Sequence, residues 1–548
     1  MFMNSRRRAV VAAATAAAFA LPQMAAPCTN ILITRGASKD GSSIITYACD
    51  GRFHPRLESR PAEDHPPGSM LKLRSWGGEV RGEIPQVEHT YAVVDLMNEH
   101  QLAIAETTTT GREELRDPDG LLHYWDLMEL ALQRARTARE AIGVMTSLVG
   151  QHGYASTAES FAIADPNQVW LMEMTGKGKG RKGAVWVALR VPDGSISAYA
   201  NGIRIREFPM NDPENCLYAP DVVDLAVELG YWRPEPGRPF DFAAAYDVPT
   251  VQSRRYTATR VWSIFRRAAP SREAELDPAY HRGDAQARPH PLWIQPDRKL
   301  SVSDVMGLMR DHYEGTPYDM TVGLDAGPFG TPNRWRPIAW AVDGEKQSWE
   351  RPISTQQTGF SFVSQSRSWL PAAIGGVYWY GVDDTYTTCY VPLYAGIDRL
   401  PPSFSRGQIG RFTWDSAWWI FNLVANLANL RYSYMAPEIR AVQRDLESHL
   451  LAIQPSVEKV AAELWAKDPA LARRFLTDYS VTHAEEAVRR WQQLAEHLIT
   501  RYNDGYLVEE GQDPERGYPE AWLREVIDRH PGRYRLVQPE KAETALPY

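Results

Sequence analysis

A cysteine that follows an apolar segment is the most informative residue of this sequence. Three arginines at positions 6–8 precede an apolar or small run over residues 9–21, and Cys28 comes shortly afterwards. The segment is typical of a secretory signal, because its apolar part is too short for a stable membrane span. If the chain is cut before Cys28, that residue presents both a thiol and an α-amine. An α-amine with a pKa of roughly 7.7–8.0 can take the thiol proton, so the pattern indicates a nucleophile that carries its own base.

Two other roles for Cys28 stay open from the residues alone. A cysteine after a signal is often a lipid-attachment site, but Pro27 stands where a lipoprotein usually has a small residue. Export also permits disulfides, and the chain has four cysteines, so Cys28 can be a disulfide cysteine. The pairing of Cys49, Cys216 and Cys389 is open. Neither their spacing nor that of the histidines fits a metal motif, and we predict no metal and no cofactor.

Composition narrows the classes of function. The net charge is −8, and the lysines and arginines are scattered, which disfavours nucleic-acid binding. No later apolar run is long enough to span a membrane. With residues 1–27 removed as a signal, the protein is expected to be periplasmic or secreted. The Ser5-Arg6-Arg7 sequence leaves twin-arginine export open beside the general route, and a homo-oligomer is possible.

Short motifs that keep their order along the chain resemble those of the cysteine dipeptidases among the N-terminal-nucleophile hydrolases. They are Cys28-Thr29-Asn30, Asp40-Gly41-Ser42, Thr46-Tyr47-Ala48-Cys49-Asp50, Met97-Asn98-Glu99-His100-Gln101-Leu102-Ala103-Ile104, Glu106-Thr107-Thr108, Ile163-Ala164-Asp165-Pro166, Ala184-Val185-Trp186-Val187-Ala188, Ala200-Asn201, Gly327-Pro328-Phe329-Gly330 and Asp415-Ser416-Ala417-Trp418-Trp419. Secernins are related, and bile-acid hydrolases and penicillin V acylases more distantly. The resemblance implies a cysteine nucleophile freed by processing and the cleavage of short peptides.

The resemblance also implies roles for further residues. Asp50 matches the acid that holds the α-amine of the nucleophile, and Asn98 and Asn201 match donors to the oxyanion of the tetrahedral intermediate. Either Arg255 or Arg260 matches a guanidinium of the distant amide hydrolases. From the sequence alone, Asp50 and both asparagines are equally typical of turns, and the arginines of a helix surface.

Other acidic and aromatic residues bear on the same site. Tyr47 stands where many distant relatives have arginine, and Cys49 directly precedes Asp50. A dipeptidase needs a carboxylate that pairs with the charged amine of its substrate, and Glu106 and Glu159 are candidates near strand ends.

The elements that must position these residues follow from periodicity and turn signals. Strands are predicted over 29–34, 42–50, 91–97, 102–108, 160–164, 169–174, 184–190 and 195–200, with more β structure over 360–391. Helices are predicted over 121–136, 138–148, 257–267, 304–312, 415–431, 437–452, 457–467 and 483–502. A proline-rich loop is expected over 53–85, and Thr482 with Glu485 has the spacing of a capping box that starts the last helix.

Together these patterns predict an α+β protein with the four-layer αββα sandwich of the N-terminal-nucleophile hydrolases. The expected parts are a removed segment 1–27, a catalytic domain 28–414 and a helical C-terminal region 415–548. The predicted function is an exported cysteine dipeptidase that acts on short peptides. The alternatives are an acylase that cuts a non-peptide amide with the same cysteine, and a non-catalytic surface lipoprotein.

Overall fold

The computed structural model describes residues 28–75, 77–284, 286–333, 339–509, 511, 515 and 517–536. The strands are β1 Asn30–Ile33, β2 Ile44–Asp50, β3 Ser59–Arg60, β4 Glu63–Asp64, β5 Met70–Arg74, β6 Val80–Pro85, β7 His89–Thr90, β8 Val93–Val94, β9 Met97–Asn98, β10 Ala103–Thr108, β11 Glu159–Ala164, β12 Val169–Gly176, β13 Ala184–Arg190, β14 Ile196–Tyr199, β15 Cys216–Tyr218, β16 Trp293–Ile294, β17 Ala339–Val342, β18 Glu345–Ser348, β19 Thr358–Gln365, β20 Val377–Val382 and β21 Val391–Tyr394. The helices are α1 Tyr124–Arg134, α2 Ala138–His152, α3 Val222–Glu228, α4 Phe242–Tyr246, α5 Val251–Ala268, α6 Pro278–His281, α7 Val302–Leu308, α8 Ala372–Gly375, α9 Ala417–Ala428, α10 Tyr432–Trp465, α11 Pro469–Arg501 and α12 Glu520–Arg529. The predicted signal segment lies outside the described residues.

Two large antiparallel sheets form the centre of the described part of the chain. The first has the strand order β16-β14-β1-β2-β19-β20-β21, and the second has the order β15-β13-β12-β11-β10-β9-β8-β3. Strands β1 and β2 of the first sheet pack against β10 and β11 of the second. The middle strands of both sheets are therefore buried on both faces, which explains their nearly continuous apolar sequences.

The side chains of β1 and β2 alternate between two cores. Ile31 and Ile33 face a core shared with helix α5, whereas Leu32 and Tyr47 face the second sheet. Successive residues of a strand point to opposite faces, so this alternation fixes the direction of every side chain on β1 and β2. Cys28 is an even number of residues before Leu32, so its side chain points to the same face and lies in the core between the sheets.

Helices pack on both sheets. Helices α1 and α2 pack against β10, β11 and β13, while α5, α7, α10 and α11 pack against β14, β19 and β21 of the first sheet. None of the described helices has both the length and the apolar character that a membrane crossing requires. The coarse prediction of a mixed fold with a helical C-terminal region is confirmed.

Some sequence-based predictions of individual elements are wrong. The expected loop over 53–85 contains strands β3 to β6, of which β5 and β6 form a mostly exposed hairpin. Two predicted helices on either side of Pro455 are one continuous helix, α10. Thr482 and Glu485 lie inside α11 and cap nothing. Instead, Glu485 accepts hydrogen bonds from the backbone N–H and hydroxyl of Ser403.

Buried ion pairs attach α10 to the first sheet. Arg310 donates to both oxygens of Glu447, at 3.0 and 2.5 Å, and the backbone N–H of Tyr390 donates to the same carboxylate at 2.9 Å. Arg367 makes a similar pair with Glu458. The helical C-terminal region therefore shares its core with the sheets.

We expect Glu447→Ala to lower the free energy of unfolding by about 3–5 kcal/mol, because it leaves the Arg310 guanidinium buried without its counter-ion. Asp445→Asn on the same helix is the matched control. Its exposed pair with Arg490 should contribute less than about 1 kcal/mol. Urea denaturation of both variants measures the difference, and equal effects would contradict a structural role for the buried pair.

Candidate active site

Cys28 lies between the two sheets with its thiol directed at polar groups. Its Sγ is 3.7 Å from the hydroxyl oxygen of Tyr47 on β2 and 3.8 Å from Oε1 of Glu106 on β10. The hydroxyl of Tyr47 donates a hydrogen bond to the same carboxylate oxygen. The sulfur is therefore held where a strand of each sheet contributes a polar side chain to the space between the sheets.

The surroundings of Cys28 favour the thiol over the thiolate. A hydrogen bond with Cys49 raises the pKa of the Cys28 thiol well above its usual value, and burial and the negative charge of Glu106 raise it further. A nucleophilic reaction at this sulfur therefore needs a base that takes its proton.

Asp50, at the end of β2, is buried, and both of its carboxylate oxygens accept hydrogen bonds. Arg351 donates to Oδ2 at 2.9 Å, and the hydroxyl of Thr358 donates to Oδ1 at 2.5 Å. Burial raises the pKa of Asp50 even though Arg351 and Thr358 act to lower it. Its charge acts on both the Cys28 thiol and the Arg260 guanidinium.

Arg260, on α5, ties the start of the chain to the end of β14. Its Nη1 donates to the carbonyl oxygen of Cys28 at 2.7 Å and to Oγ1 of Thr29 at 2.9 Å. Its Nη2 donates to the carbonyl oxygen of Ala200 and to Oδ1 of Asn201, both at 2.9 Å. Burial lowers the pKa of Arg260 to about 9, so it stays charged at neutral pH.

Of the two arginines that the sequence left open, Arg260 is therefore the one beside Cys28. Arg255 is half-buried and reaches Ser348 at 3.5 Å.

Asn201 has a backbone φ of 67°, in the left-handed region that asparagine tolerates better than most residues. Its Oδ1 accepts from Arg260, and its Nδ2 donates one hydrogen to the carbonyl oxygen of Thr108 at 2.6 Å. The second amide hydrogen meets no acceptor among the described residues. Asn201 can therefore donate to a further group.

Asn98 makes a different set of contacts. Its Nδ2 donates both hydrogens, to the carbonyl oxygens of Leu132 and Ala135 at 2.8 Å each. Its Oδ1 accepts from the backbone N–H groups of His100 and Leu102. Asn98 thus connects the β9–β10 turn to the end of α1. Its oxyanion role stays a prediction that these contacts do not favour.

Glu106 and Glu159 form a buried carboxyl pair. Glu106 lies opposite Phe161 and Glu159 opposite Thr108, which makes the two glutamates diagonal neighbours on one face of the second sheet. Burial raises the pKa of both groups, and the charge of Glu106 raises that of Glu159 further. The protonated form of Glu159 is therefore favoured beside Glu106. Oε2 of each group meets no donor among the described residues.

Sequence reasoning missed several contacts of this site. Arg351 and Thr358 lie some three hundred residues after Asp50, and nothing in their local sequence marks them. The sequence marks Tyr47 only as a departure from distant relatives. Tyr47 and Cys49 are two residues apart on β2, however, so their side chains point to the same face of the sheet.

Cys49, Cys216 and Cys389 form no disulfides within the described part of the chain. In that part, no three His, Cys, Asp or Glu side chains are grouped as a metal site requires.

Comparison with known proteins identifies the class of this protein. The family model for peptidase family C69 matches residues 27–445, so the chain belongs to this family of cysteine dipeptidases, and it is a peptide hydrolase. A probable dipeptidase of Salmonella dublin is 28% identical over 412 residues, which cover 70% of this chain and 85% of the relative. Dipeptidase A of Lactobacillus helveticus is 24% identical over 464 residues, which cover 80% of this chain and 90% of the relative. The expected family is confirmed.

We expect Arg260→Lys to lower turnover of a dipeptide by about tenfold or more, because an ammonium group cannot span both Cys28 and Asn201 as the guanidinium does. Arg255→Lys, five residues earlier on the same helix, is the control and should stay within about twofold of the wild type. Steady-state kinetics on folded variants, checked by circular dichroism, measure both. Equal losses in the two variants would contradict a specific role for Arg260.

Proposed function

We propose that this protein is an exported cysteine dipeptidase whose nucleophile is the thiol of Cys28, exposed as a new N-terminus by removal of residues 1–27. The observation that carries the proposal is the position of Cys28. Its backbone is anchored by Arg260, and its sulfur faces Glu106 between the sheets.

In the proposed reaction, the α-amine of Cys28 takes the thiol proton while Sγ attacks the scissile carbonyl carbon. The amine then gives this proton to the leaving amino group as the peptide bond breaks, and an acyl-enzyme remains. Water, deprotonated by the same amine, releases the acyl group and restores the thiol. The raised pKa of the buried thiol supports the need for such a base. Asp50, close enough to act on the thiol electrostatically, is proposed to orient the ammonium form.

The oxyanion of the tetrahedral intermediate is proposed to accept a hydrogen bond from Asn201. This side chain has one amide hydrogen to spare, and Arg260 fixes its carbonyl oxygen, so the donor is oriented before substrate binds. Arg260 is a positioning residue in this scheme, because its own hydrogens are used on the protein.

The fold is proposed to be the αββα sandwich of the N-terminal-nucleophile hydrolases. The facing of β1 and β2 with β10 and β11, and the helices packed on each sheet, support this assignment. The placement of the nucleophile at the start of a strand in the middle of the first sheet agrees with it. A division into parts 28–414 and 415–548 remains a prediction.

The carboxyl pair supports a substrate with a free α-amine. In a dipeptide, this amine is on the carbon next to the scissile carbonyl, so its partner must lie close to the attacking sulfur. Glu106 lies 3.8 Å from Sγ, and its negative charge favours a proton on the neighbouring Glu159. A substrate ammonium group can replace that proton, which leaves both carboxylates charged and paired.

We expect the active form to begin at Cys28, because only then is the α-amine available as the base. Intact-mass analysis of the purified active protein measures this, with Cys28→Ala as the inactive control. Fully active protein that retains Ala26-Pro27 would contradict the mechanism, since the amine would be locked in an amide. A diacylglyceryl group on Cys28 would support the lipoprotein alternative instead.

We expect free dipeptides to be hydrolysed far faster than the same dipeptides with acetylated N-termini. Glu159→Gln keeps the hydrogen bond to Glu106 but cannot ionise, so it should lower kcat/KM for free dipeptides by about tenfold to a hundredfold and affect acetylated ones much less. Kinetics with both substrates on both proteins measure the ratio. Faster cleavage of acetylated dipeptides or of fatty-acyl amides by the wild type would favour the acylase alternative.

A further inference from the structure

The register between β1 and β2 places Cys28, two residues before β1, opposite Cys49 of β2. The pairing of β1 with β2 joins Leu32 to Ile45, and the same register continues through the bridge between Thr29 and Ala48. One step further along this register, Cys28 faces Cys49.

The hydrogen bonds around this pair define its geometry. Thr29 and Ala48 exchange both backbone hydrogen bonds, at 3.2 and 2.9 Å, so they form a hydrogen-bonded pair. In an antiparallel ladder the next pair is then a non-hydrogen-bonded one, whose Cα atoms are about 4.5 Å apart. Disulfides join residues whose Cα atoms are about 4.4–6.8 Å apart, so Cys28 and Cys49 can be joined without moving either strand.

The two thiols also share one face of the sheet. Cys49 and Tyr47 are two residues apart on β2, and the Sγ of Cys28 lies 3.7 Å from the hydroxyl of Tyr47. The hydrogen bond between the Cys28 and Cys49 side chains agrees with this arrangement. Cys49 is only partly buried, whereas Cys28 is 2% exposed, so an oxidant in solvent reaches Cys49 more easily.

We propose that Cys28 and Cys49 are a site of reversible oxidative modification, at which a cross-strand disulfide forms and removes the nucleophile of the enzyme. The geometry of the disulfide is independent of the proposed function. Its effect on activity rests on the proposed role of Cys28.

The chemistry needs an oxidant such as hydrogen peroxide. The Cys49 sulfur attacks one peroxide oxygen, the O–O bond breaks, and a sulfenic acid and one water are formed. The Cys28 sulfur then attacks the sulfenic sulfur and releases a second water. Two thiols are oxidised, one peroxide is reduced to two waters, and the Cys28 sulfur, now bonded to the sulfur of Cys49, can no longer form the thiolate that attacks a peptide. A dithiol reductant reverses the modification by thiol–disulfide exchange.

The test treats the mature protein with hydrogen peroxide, alkylates the remaining thiols and digests the protein without reduction. We expect a cross-linked peptide that contains Cys28 and Cys49. Before alkylation and digestion, the intact mass should be lower by about 2 Da, the mass of two hydrogens. Dipeptide hydrolysis should fall in proportion to the linked fraction, and dithiothreitol should restore both the mass and the activity.

Two variants separate this site from general thiol oxidation. Cys216→Ser should still form the cross-link and recover fully with dithiothreitol. Cys49→Ser should form no cross-link and, at the same peroxide dose, should recover less, because Cys28 is then open to irreversible oxidation. Absence of the Cys28–Cys49 peptide in oxidised wild type, or full recovery of Cys49→Ser, would overturn the proposal. A cross-link in a protein that hydrolyses no peptide would instead count against the proposed function alone.

Discussion

The arrangement of the site depends on a single guanidinium, that of Arg260. It is buried completely, and its donors reach backbone or side-chain oxygens of Cys28, Thr29, Ala200 and Asn201. These acceptors belong to the segments at the start of β1 and just after β14, which lie side by side in the first sheet. A planar group with donors in fixed directions defines the relative position of two backbone segments better than a flexible ammonium group does. The position of the sulfur follows from this contact.

Charge near Cys28 is balanced within the protein interior. Arg351 forms an ion pair with Asp50, whose charge in turn acts on Arg260, while burial and the charge of Glu106 raise the pKa of Glu159. A buried charge without a partner is costly, so each of these groups constrains the ionisation of its neighbours. Among the described ion pairs, none joins a cationic side chain to Glu106 or Glu159. This supports the proposal that the carboxyl pair receives the amine of a substrate.

The sequence predicts those features of the fold and site that are determined by residues close together in the chain. The sequence predicts strands β1 and β2 because each is a strand-like run and an Asp-Gly turn signal separates them, and it singles out Cys28 by its place after the apolar segment. Contacts between distant segments leave no local pattern, so Arg351 was missed. Local rules also failed where packing overrides them: Pro455 lies inside α10, and Glu485 bonds to a distant loop where a capping box was expected. Helix packing on the first sheet supplies the stability that the proline removes.

The sequence distances within the site have a consequence for folding. Arg260 contacts a carbonyl group 232 residues earlier, and Arg351 contacts a carboxylate 301 residues earlier. Contacts between residues so far apart in sequence form late, because a long loop must close before the contact can stabilise the fold. The contacts of Cys28 with Glu106 and Arg260 therefore form only after distant parts of the chain have come together. Under the proposed mechanism, the hydrolase acquires its reactivity late in its own folding, when most of its own peptide bonds are already protected in the folded structure.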